Sequence, residues 1–265
     1  MKTIVFCSFK GGTSKTSTSL NLGAALSKFH DKKVLLIDFD AQVNLSEGLG
    51  VGAYSSKTIA SVLRGERKVG EVIKKTNTVN LFVIPGSVHL DGIESTEPLV
   101  SDLYAHERLR KAINGLSFDY CFIDTPPSLG WLSRAAFCAS QKSIICIAPE
   151  PYSILALNRL KDFHENEVNE YHDVDCFGVV FNFWDFRGAT NNAFIDAVSA
   201  SFPGRLFKTR IRRDITVSRA ILEGKSVFEF DKKSKAAKDF KDLSDEFLQL
   251  GSLFVKEREV FERFH

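Results

Sequence analysis

The sequence predicts an α/β protein with a single doubly wound, mostly parallel sheet flanked by helices. Short runs of β-branched and aromatic residues alternate with helical stretches along the 265 residues, a pattern typical of parallel strands joined by helices. Several of these runs are apolar at every position, as strands buried between two helical layers must be. No long Pro-, Gly- or Ser-rich linker and no repeat interrupts them, so we expect one domain over residues 1–265.

The strands are predicted where apolar residues run together, and the helices where apolar residues recur at helical spacing. In chain order, the strand runs are TIVFCS (3–8), VLLID (34–38), VNLFVI (79–84), YCFID (120–124), SIICIA (143–148), FGVVFN (177–182) and LFKTRI (206–211). Helices are expected at residues 16–29, 106–116, 152–171, 191–202 and, at the C-terminus, about 235–262. In an open sheet of this kind, ligands bind outside the carboxyl ends of the strands.

Composition excludes several classes of protein. The chain has 35 Lys and Arg and 33 Asp and Glu, a net charge of +2, and 44% hydrophobic residues, which are ordinary values for a soluble globular protein. The longest nearly uninterrupted apolar run, residues 144–148, is far shorter than the roughly 18 residues that a membrane-spanning helix needs. The five cysteines include no C-x-x-C pair, so neither a disulfide framework nor a zinc site is indicated, and a reducing cytoplasm fits. Neither H-E-x-x-H nor G-x-S-x-G occurs, which removes the support for a zinc or serine hydrolase.

The most informative segment lies between the first predicted strand and the first predicted helix. It reads SFKGGTSKTS over residues 8–17. A glycine-rich turn before a helix exposes backbone N–H groups to phosphate oxygens, Lys15 can reach the β and γ phosphates, and the Thr16 hydroxyl can bind Mg²⁺. The strict G-x-x-x-x-G-K-[ST] motif is not met, because Phe9 and Ser14 occupy the two glycine positions. By itself, the segment therefore fits a structural Gly-Gly turn about as well as a phosphate site.

Three carboxylates at strand ends favour the phosphate site. Asp38 and Asp40 come at the end of the second predicted strand, and Asp124 ends the fourth. A single aspartate at a strand end often only caps a turn. Three of them arriving at the same sheet edge as a Lys-Thr loop are better explained by Mg²⁺ held through Thr16, water and phosphate, since Mg²⁺ keeps several waters and takes few direct carboxylates.

As a set, these segments resemble the deviant Walker A ATPases of the ParA/MinD group, which are P-loop NTPase-like proteins. KGGTSKTS (10–17) is similar to the K-G-G-x-G-K-[ST]-[ST] loop of that group, and VLLIDFDAQ (34–42) with Asn44 is similar to V-L-L-x-D-x-D-P-Q-G-N of the ParA branch. FDYCFIDTPPSLG (118–130) resembles its Walker B and switch II segments. The resemblance continues in one register to about residue 250 and points to ParA/Soj-type partition ATPases of chromosomes or plasmids.

The resemblance implies ATP and Mg²⁺ as cofactors and assigns a role to each matching residue. Lys15 would bind the β and γ phosphates, Asp40 would position the attacking water, and Lys10 would reach the partner's nucleotide across an ATP-sandwiched homodimer, so the implied catalytic residues are Lys10, Lys15 and Asp40. Thr16 would bind Mg²⁺, with Asp38 and Asp124 holding its waters. The implied nucleotide-binding residues wrap the phosphates or contact the adenine, and they are Lys10, Gly11, Gly12, Thr13, Ser14, Lys15, Thr16, Ser17, Asn182, Ile211, Arg212, Arg213 and Asp214.

The chain departs from the family pattern at two places near this site. Ser14 stands where the family has glycine, and Ala41 stands where it has proline. A Cβ at position 14 costs free energy if the residue needs a positive φ or a close approach to phosphate. We therefore expect ATP to bind and hydrolysis to be slow. An alternative is a nucleotide-dependent switch that hydrolyses ATP weakly or not at all.

A basic segment predicts a surface for DNA. Residues 205–225 include seven basic and two acidic residues, a local charge of +5 that leaves −3 for the rest of the chain. Such clusters neutralise phosphates without reading sequence, although most basic stretches are simply solvated faces. By position, the resemblance implies non-specific DNA contacts from Arg187, Arg213 and Arg219, whereas Thr216 stands where the family is often basic. It also implies a ParB-like activator protein and a cytoplasmic, nucleoid-associated location.

The C-terminus allows a comparison with the MinD branch, which ends in a basic amphipathic membrane helix. Leu243, Phe247, Leu250 and Phe254 recur at helical spacing, which is typical of a helix packed on the core. The last ten residues contain three basic and three acidic side chains, whereas a membrane-surface helix carries an excess of Lys and Arg. We therefore expect no stable membrane binding, and a MinD-like positioning ATPase remains the rival hypothesis.

Overall fold

The structure, a computed structural model, describes residues 1–8, 10–52, 56–95, 105–150, 153–163, 165–166 and 174–264. Its centre is a seven-stranded sheet with the order β3-β4-β2-β5-β1-β6-β7. All strand pairs are parallel except β3 with β4, which is antiparallel. The strands are β1 (Lys2–Cys7), β2 (Val34–Asp38), β3 (Lys74–Lys75), β4 (Leu81–Ile84), β5 (Tyr120–Asp124), β6 (Lys142–Ile147) and β7 (Asp175–Phe181).

Helices cover both faces of the sheet, which confirms the doubly wound α/β fold. Alternate residues of β1 point into two separate apolar cores, Ile4 and Phe6 into one and Val5 and Cys7 into the other. The helices in the described residues are α1 (Lys15–His30), α2 (Asn44–Gly48), α3 (Ile59–Leu63), α4 (Leu90–Ser95), α5 (Arg108–Ile113), α6 (Trp131–Cys138), α7 (Ser153–Phe163), α8 (Asn191–Ser201), α9 (Ile215–Leu222), α10 (Val227–Phe230) and α11 (Lys235–Phe264).

The Phe6 core places α1 and α11 on one face of the sheet. It contains Leu22 and Leu26 of α1 together with Phe240 and Phe247 of α11, all fully or almost fully buried. Within the described part of the chain, none of the helices combines the length and apolar character that crossing a bilayer requires. The apolar positions of α11 up to Phe247 are therefore used for packing against the sheet, as their spacing predicts.

Most predicted elements are confirmed, with shifts of a few residues at their ends. The helix expected at 106–116 consists of a 3₁₀ turn, Ala105–Glu107, followed by α5, and the chain leaves the helix before Gly115, whose φ is 82°. The helix expected at 152–171 is α7, and positions 152, 164 and 167–171 of that prediction lie outside the described residues. The two-residue strand β3 was not predicted, because it carries only lysines and no apolar pattern.

The strand predicted at 206–211 is wrong. Leu206 makes only an isolated bridge with Val179 of β7. The Phe207 and Ile211 amides donate to the carbonyls of Val179 and Phe181 in β7, at 3.0 and 2.9 Å. Between them, the Lys208 and Thr209 amides donate to the carboxylate of Glu246 on α11, at 2.6 and 2.8 Å. The Glu246 side chain interrupts the backbone pairing, so the segment runs beside β7 without forming a further strand.

Candidate functional site

A cleft of about 400 Å³ opens where the loop after β1 leads into α1. Because β2, β5 and β1 are neighbours in a parallel arrangement, their carboxyl ends and this loop meet at one edge. All residues from 10 to 17 line the cleft, and they are joined by Ser8, Asp40, Gln42, Asn44, Pro127, Phe183 and Ile221. The cleft therefore collects the loop predicted to bind phosphate and one of the three predicted carboxylates.

Two residues of this loop have left-handed backbone conformations. Gly12 has φ 78°, and Ser14, the residue before α1, has φ 59° and ψ 29°. The Ser14 carbonyl accepts hydrogen bonds from the amide and the hydroxyl of Thr18, at 2.9 and 2.7 Å, which fixes this conformation. A left-handed conformation costs a residue with a Cβ roughly 1–2 kcal/mol. Position 14 therefore requires what glycine provides, and serine occupies it under strain.

Lys15 and Thr16 both contact Asp124, the last residue of β5. Lys15 Nζ lies 3.5 Å from Asp124 Oδ1, and the Thr16 hydroxyl donates to Asp124 Oδ2 at 2.6 Å. Burial raises the pKa of Asp124, while the nearby Lys15 ammonium and the Thr16 hydroxyl act in the opposite direction. The Lys15 side chain is itself almost buried, so its charge is held at the base of the cleft.

The residues around Asp124 fit Mg²⁺. Asp124 Oδ1 is fully buried and, among the described residues, accepts no hydrogen bond. Hydroxyl and carboxylate oxygens are the ligands that this hard cation prefers. In the described part of the chain, no group of three or more His, Cys, Asp or Glu could hold a metal by itself. A magnesium site here would thus need Thr16 and the phosphates of a nucleotide as well as Asp124.

Asp38 and Asp40 differ in their surroundings, although Asp38 ends β2 and Asp40 lies two residues later. Asp40 lines the cleft, and its Oδ1 accepts the amide of Gln42 at 3.0 Å. Asp38 lies opposite Asp124 in the sheet register and is fully buried, and both the amide and the hydroxyl of Ser46 donate to its Oδ2. Burial raises the pKa of Asp38 to about 7, and the Asp124 charge adds to this effect while the Ser46 bonds oppose it.

Lys10 lines the cleft and forms an ion pair with Glu150, which lies after β6 in the same chain. Both side chains are about half exposed, at 46% and 45%. Lys10 is therefore accessible from outside the cleft, in contrast to Lys15. Its ammonium is held by its own chain in this structure.

Comparisons with known proteins agree with this geometry. A family model described as an AAA domain matches residues 1–173. A ParA family protein of Chlamydia muridarum is 45% identical over 252 residues, which are 94% of this chain and 98% of that protein. The chain belongs to the ParA family. The virulence plasmid ParA family protein pGP5-D of Chlamydia psittaci is 41% identical over 99% of both chains, and the chromosome-partitioning ATPase Soj of Treponema pallidum is 30% identical over 93% of this chain and 97% of that protein.

Solved structures show the same fold. Apo McdA from Cyanothece has a TM-score of 0.83 and 26% sequence identity, over 94% of this chain and 99% of that chain. A complex of a Cyanothece McdA variant with ATP has a TM-score of 0.80 and 25% identity, over 95% of both chains. These likenesses extend over nearly the whole length of the ParA-family chain.

The structure places Asn182 behind the phosphate loop of this ParA-family chain. Asn182 is fully buried at the end of β7, and its Nδ2 donates to the Thr13 carbonyl at 2.9 Å. Its Oδ1 accepts the Thr18 hydroxyl at 3.2 Å. Both ends of the amide thus hold the loop. The contact between Asn182 and adenine stays a prediction.

Residues 211–214 were predicted to offer main-chain groups to adenine, and several of these groups have partners within the chain. The Ile211 amide donates to the Phe181 carbonyl, and the Ile211 carbonyl accepts from the Trp184 amide, both at 2.9 Å. The Arg212 amide donates to Asp239 Oδ2 at 3.0 Å. Asp214 caps α9 by accepting the Thr216 amide at 2.9 Å. Adenine binding by residues 211–214 remains a prediction. These hydrogen bonds reduce the number of main-chain groups that could contact adenine.

The three arginines predicted to contact DNA are all exposed. Arg187 is 92% exposed and pairs weakly with Asp185 at 3.4 Å. Arg213 stacks over the Phe183 ring at 4.9 Å, and Arg219 lies on the solvent face of α9. Because Phe183 lines the cleft, Arg213 connects the exposed arginines to the cleft.

Sequence reasoning missed three residues at this site: Val43, Ser46 and Glu150. Val43 has φ 52° at the start of α2 and stands where the ParA motif V-L-L-x-D-x-D-P-Q-G-N has glycine, a departure that the motif could have revealed. The sequence predicts that Phe183 and Trp184 flank a nucleotide or partner surface, and Phe183, with φ 56°, does line the cleft. Nothing in the sequence pattern marks Ser46 or Glu150, since their partners are defined by the folded chain.

Proposed function

We propose that this ParA-family chain is an ATP-dependent partition ATPase that forms a nucleotide-sandwiched homodimer, binds DNA non-specifically as that dimer, and is regulated by a ParB-like partner. One observation carries the proposal: Lys15 and Thr16, which line the cleft together with Lys10 and Asp40, both contact the buried Asp124. The names of relatives as a chromosome-partitioning ATPase and a virulence plasmid ParA protein support it. The whole chain, 1–265, is proposed to act as one P-loop ATPase domain.

The nucleotide chemistry is assigned to groups at the base and rim of the cleft. Lys15 neutralises the β and γ phosphates, and the N–H groups of residues 11–17 surround them. Thr16 and Asp124 are the residues that would hold Mg²⁺, which supplies further positive charge to the phosphate oxygens when bound. Asp40, held by the Gln42 amide, orients the attacking water. The ATP complex of a structurally similar McdA variant supports a nucleotide at this sheet edge.

Dimerisation is assigned to Lys10, because its side chain is exposed at the cleft rim. A second copy placed over the cleft would bring each Lys10 near the other protomer's phosphates, where it adds charge stabilisation during phosphoryl transfer. The exposed Arg187, Arg213 and Arg219 would then contribute from both protomers to one basic surface. Such a surface binds the DNA backbone and places the protein on the nucleoid in the cytoplasm.

The nucleotide arm of the proposal is tested by Lys15→Ala. Purified wild type should bind ATP in the presence of Mg²⁺, and Lys15→Ala should abolish binding, while replacing the exposed lysine of the same helix, Lys28→Ala, should leave it unchanged. If wild type shows no ATP binding, or if Lys15→Ala retains it, the proposed function is wrong.

The proposed DNA binding and partner regulation are tested by measuring the ATP hydrolysis rate and the salt dependence of DNA affinity. ATP hydrolysis should be slow alone and should rise when DNA and the partner protein are both added. DNA affinity should require ATP and should fall steeply between 50 and 200 mM salt, because phosphate contacts release counterions. Binding that is insensitive to salt or indifferent to nucleotide contradicts the proposed DNA surface.

A nucleotide switch with very weak hydrolysis is a second candidate, favoured by the strained φ of 59° at Ser14. Ser14→Gly separates the two functions. If glycine raises turnover strongly, the serine slows an ATPase; if wild type and variant both bind ATP and neither hydrolyses it, even with DNA and partner, the switch is correct.

A further inference from the structure

Ser46, on the short helix α2, is a fully buried serine whose polar groups all have partners. Its amide and its hydroxyl donate to Asp38 Oδ2, at 2.8 and 2.6 Å. The same hydroxyl oxygen accepts the amide of Gly86, at 2.9 Å. Ser46 therefore connects the end of β2, the helix that follows Asp40, and the loop after β4.

These bonds distinguish the two oxygens of Asp38. Oδ2 receives two short hydrogen bonds from Ser46, whereas from the described residues Oδ1 receives a single long one, from the Asp40 amide at 3.4 Å. A carboxylate oxygen has about two lone-pair sites, so Oδ2 is fully used by protein donors. Oδ1 is the oxygen that remains for other donors.

Gly86 also restricts the position of the Asp38 carboxylate, because a side chain at residue 86 would have no room beside it. A Cβ at this position would lie 2.8 Å from Asp38 Cγ and 3.0 Å from its Oδ2. Because the Asp38 side chain is fully buried, it has no open space into which to move. The position of Asp38 is thus defined by two donors on Ser46 and by the absence of a side chain at Gly86.

We propose that Ser46 is a positioning residue for magnesium-dependent nucleotide binding, acting through Asp38. Ser46 fixes Oδ2, so that Oδ1 is presented to the waters of the metal. Because the Asp40 amide donates to Oδ1, Ser46 also helps to fix the backbone position of Asp40. The inference rests on the proposed function and deepens it. Residues that orient a metal site from outside the ligand shell change metal affinity or activity by 10–100-fold when replaced.

The test compares Ser46→Ala with Ser46→Thr, which keeps the hydroxyl. Binding of a fluorescent ATP analogue is titrated once with Mg²⁺ and once in EDTA, and the Mg²⁺ concentration at half-saturation is measured at fixed nucleotide. Ser46→Ala should raise that Mg²⁺ concentration about 10- to 100-fold and leave binding in EDTA within about twofold. Ser46→Thr should restore the Mg²⁺ dependence to near the wild-type value.

A matched control removes a different buried hydroxyl. Ser27, whose hydroxyl donates to the Gly23 carbonyl at 3.0 Å far along α1, is replaced by alanine. Ser27→Ala should leave the Mg²⁺ dependence unchanged. If Ser46→Ala resembles Ser27→Ala, or if it weakens binding equally with and without Mg²⁺, Ser46 has only a structural role and the inference is overturned.

A second variant covers the case in which Ser46→Ala does not fold. In Gly86→Ala the added Cβ displaces the Asp38 carboxylate. This variant should likewise raise the Mg²⁺ concentration at half-saturation without weakening nucleotide binding in EDTA. An unchanged Mg²⁺ requirement in a folded Gly86→Ala variant overturns the inference. A wild type that binds no nucleotide at all fails the proposed function instead, so the two failures are distinguishable.

Discussion

Ser14 is the residue of the loop 10–17 whose backbone conformation fits its side chain least well. Its φ of 59° is the conformation for which the family motif has glycine. Val43 repeats the situation in the segment after Asp40, with φ 52° in a β-branched residue. Strained positions of this kind cluster at functional sites. Here Ser14 lines the cleft, and Val43 lies between Gln42 and Asn44, which also line it.

We expect Ser14→Gly to stabilise the nucleotide-free protein by about 1 kcal/mol, since relief of the left-handed strain exceeds the entropy cost of glycine. Urea denaturation measures the change. The same substitution at Ser199, an exposed position inside α8, should destabilise by about 0.5 kcal/mol. A loss of stability in Ser14→Gly contradicts the strain interpretation.

Asp38 gives the site a pH-dependent stability. Its pKa is about 7 in the folded chain against 3.8 for an exposed aspartate, so the folded state keeps a proton that the unfolded chain releases. Stability therefore falls as pH rises from about 4 to 7, and the loss persists above pH 7. Asp38→Asn keeps an acceptor oxygen for Ser46 and removes the charge.

The expected result is that Asp38→Asn gains stability relative to wild type by up to roughly 4 kcal/mol between pH 4 and pH 8. The measurement is urea denaturation of both proteins, without nucleotide or Mg²⁺, across that pH range. Two curves that stay parallel would show that Asp38 is ionised in the folded chain throughout.

At the scale of elements, the phosphate loop depends on a strand two positions away in the sheet. β7 is separated from β1 by β6, yet Asn182 at its end bonds the Thr13 carbonyl and the Thr18 hydroxyl. The loop between β1 and α1 is therefore supported from behind by an element formed 169 residues later in the chain. The side-chain amide of Asn182 thus couples the geometry of the loop between β1 and α1 to the position of β7.

Replacing Asn182 by alanine should weaken binding of inorganic triphosphate as well as ATP, because the buried Thr13 carbonyl loses its partner at a cost of about 1–3 kcal/mol. Competition with a fluorescent ATP analogue measures both affinities. The control is Asn191→Ala, which removes an exposed amide that donates to the Asp185 carbonyl. If ATP binding falls and triphosphate binding does not, Asn182 contacts the adenine, as the sequence predicts.

The basic segment 205–225 also depends on packing. Its +5 charge includes Arg212, whose guanidinium pairs with Asp239 of α11 at 2.5 Å, and Arg205, which pairs with Asp175 of β7 at 3.1 Å. These arginines attach the segment to the sheet and to α11. Arg213 and Arg219 remain on the exposed surface, so the charge count of the segment overstates the positive charge at its exposed surface.

For the whole molecule, the ion pair between Lys10 and Glu150 opposes assembly as proposed. The pair lies within one chain, and it must break before Lys10 can reach a partner's phosphates. Exposed pairs of this kind are worth about 0.2–1 kcal/mol. We therefore expect Glu150→Gln to lower the protein concentration needed for ATP-dependent dimerisation by about two- to fivefold.

Sedimentation at several protein concentrations measures that shift. Glu66→Gln, which neutralises an exposed glutamate near the end of α3, should leave dimerisation unchanged. If Glu150→Gln weakens the dimer, Glu150 contributes to the interface between protomers and does not restrain Lys10.

The sequence by itself determined the α/β class, six of the seven strands, and the meeting of the loop 10–17 with the carboxylates at the ends of β2 and β5. This was possible because periodicity and motif spacing are local, and because parallel strands deliver their carboxyl ends to one edge. Only the tertiary structure decided which groups hold that site in place. Ser46 bonds Asp38, Asn182 bonds Thr13, and Glu246 bonds the segment 206–211 that was predicted as the seventh strand. These hydrogen bonds join distant segments, and the partner of each donor depends on which neighbour the fold brings to it.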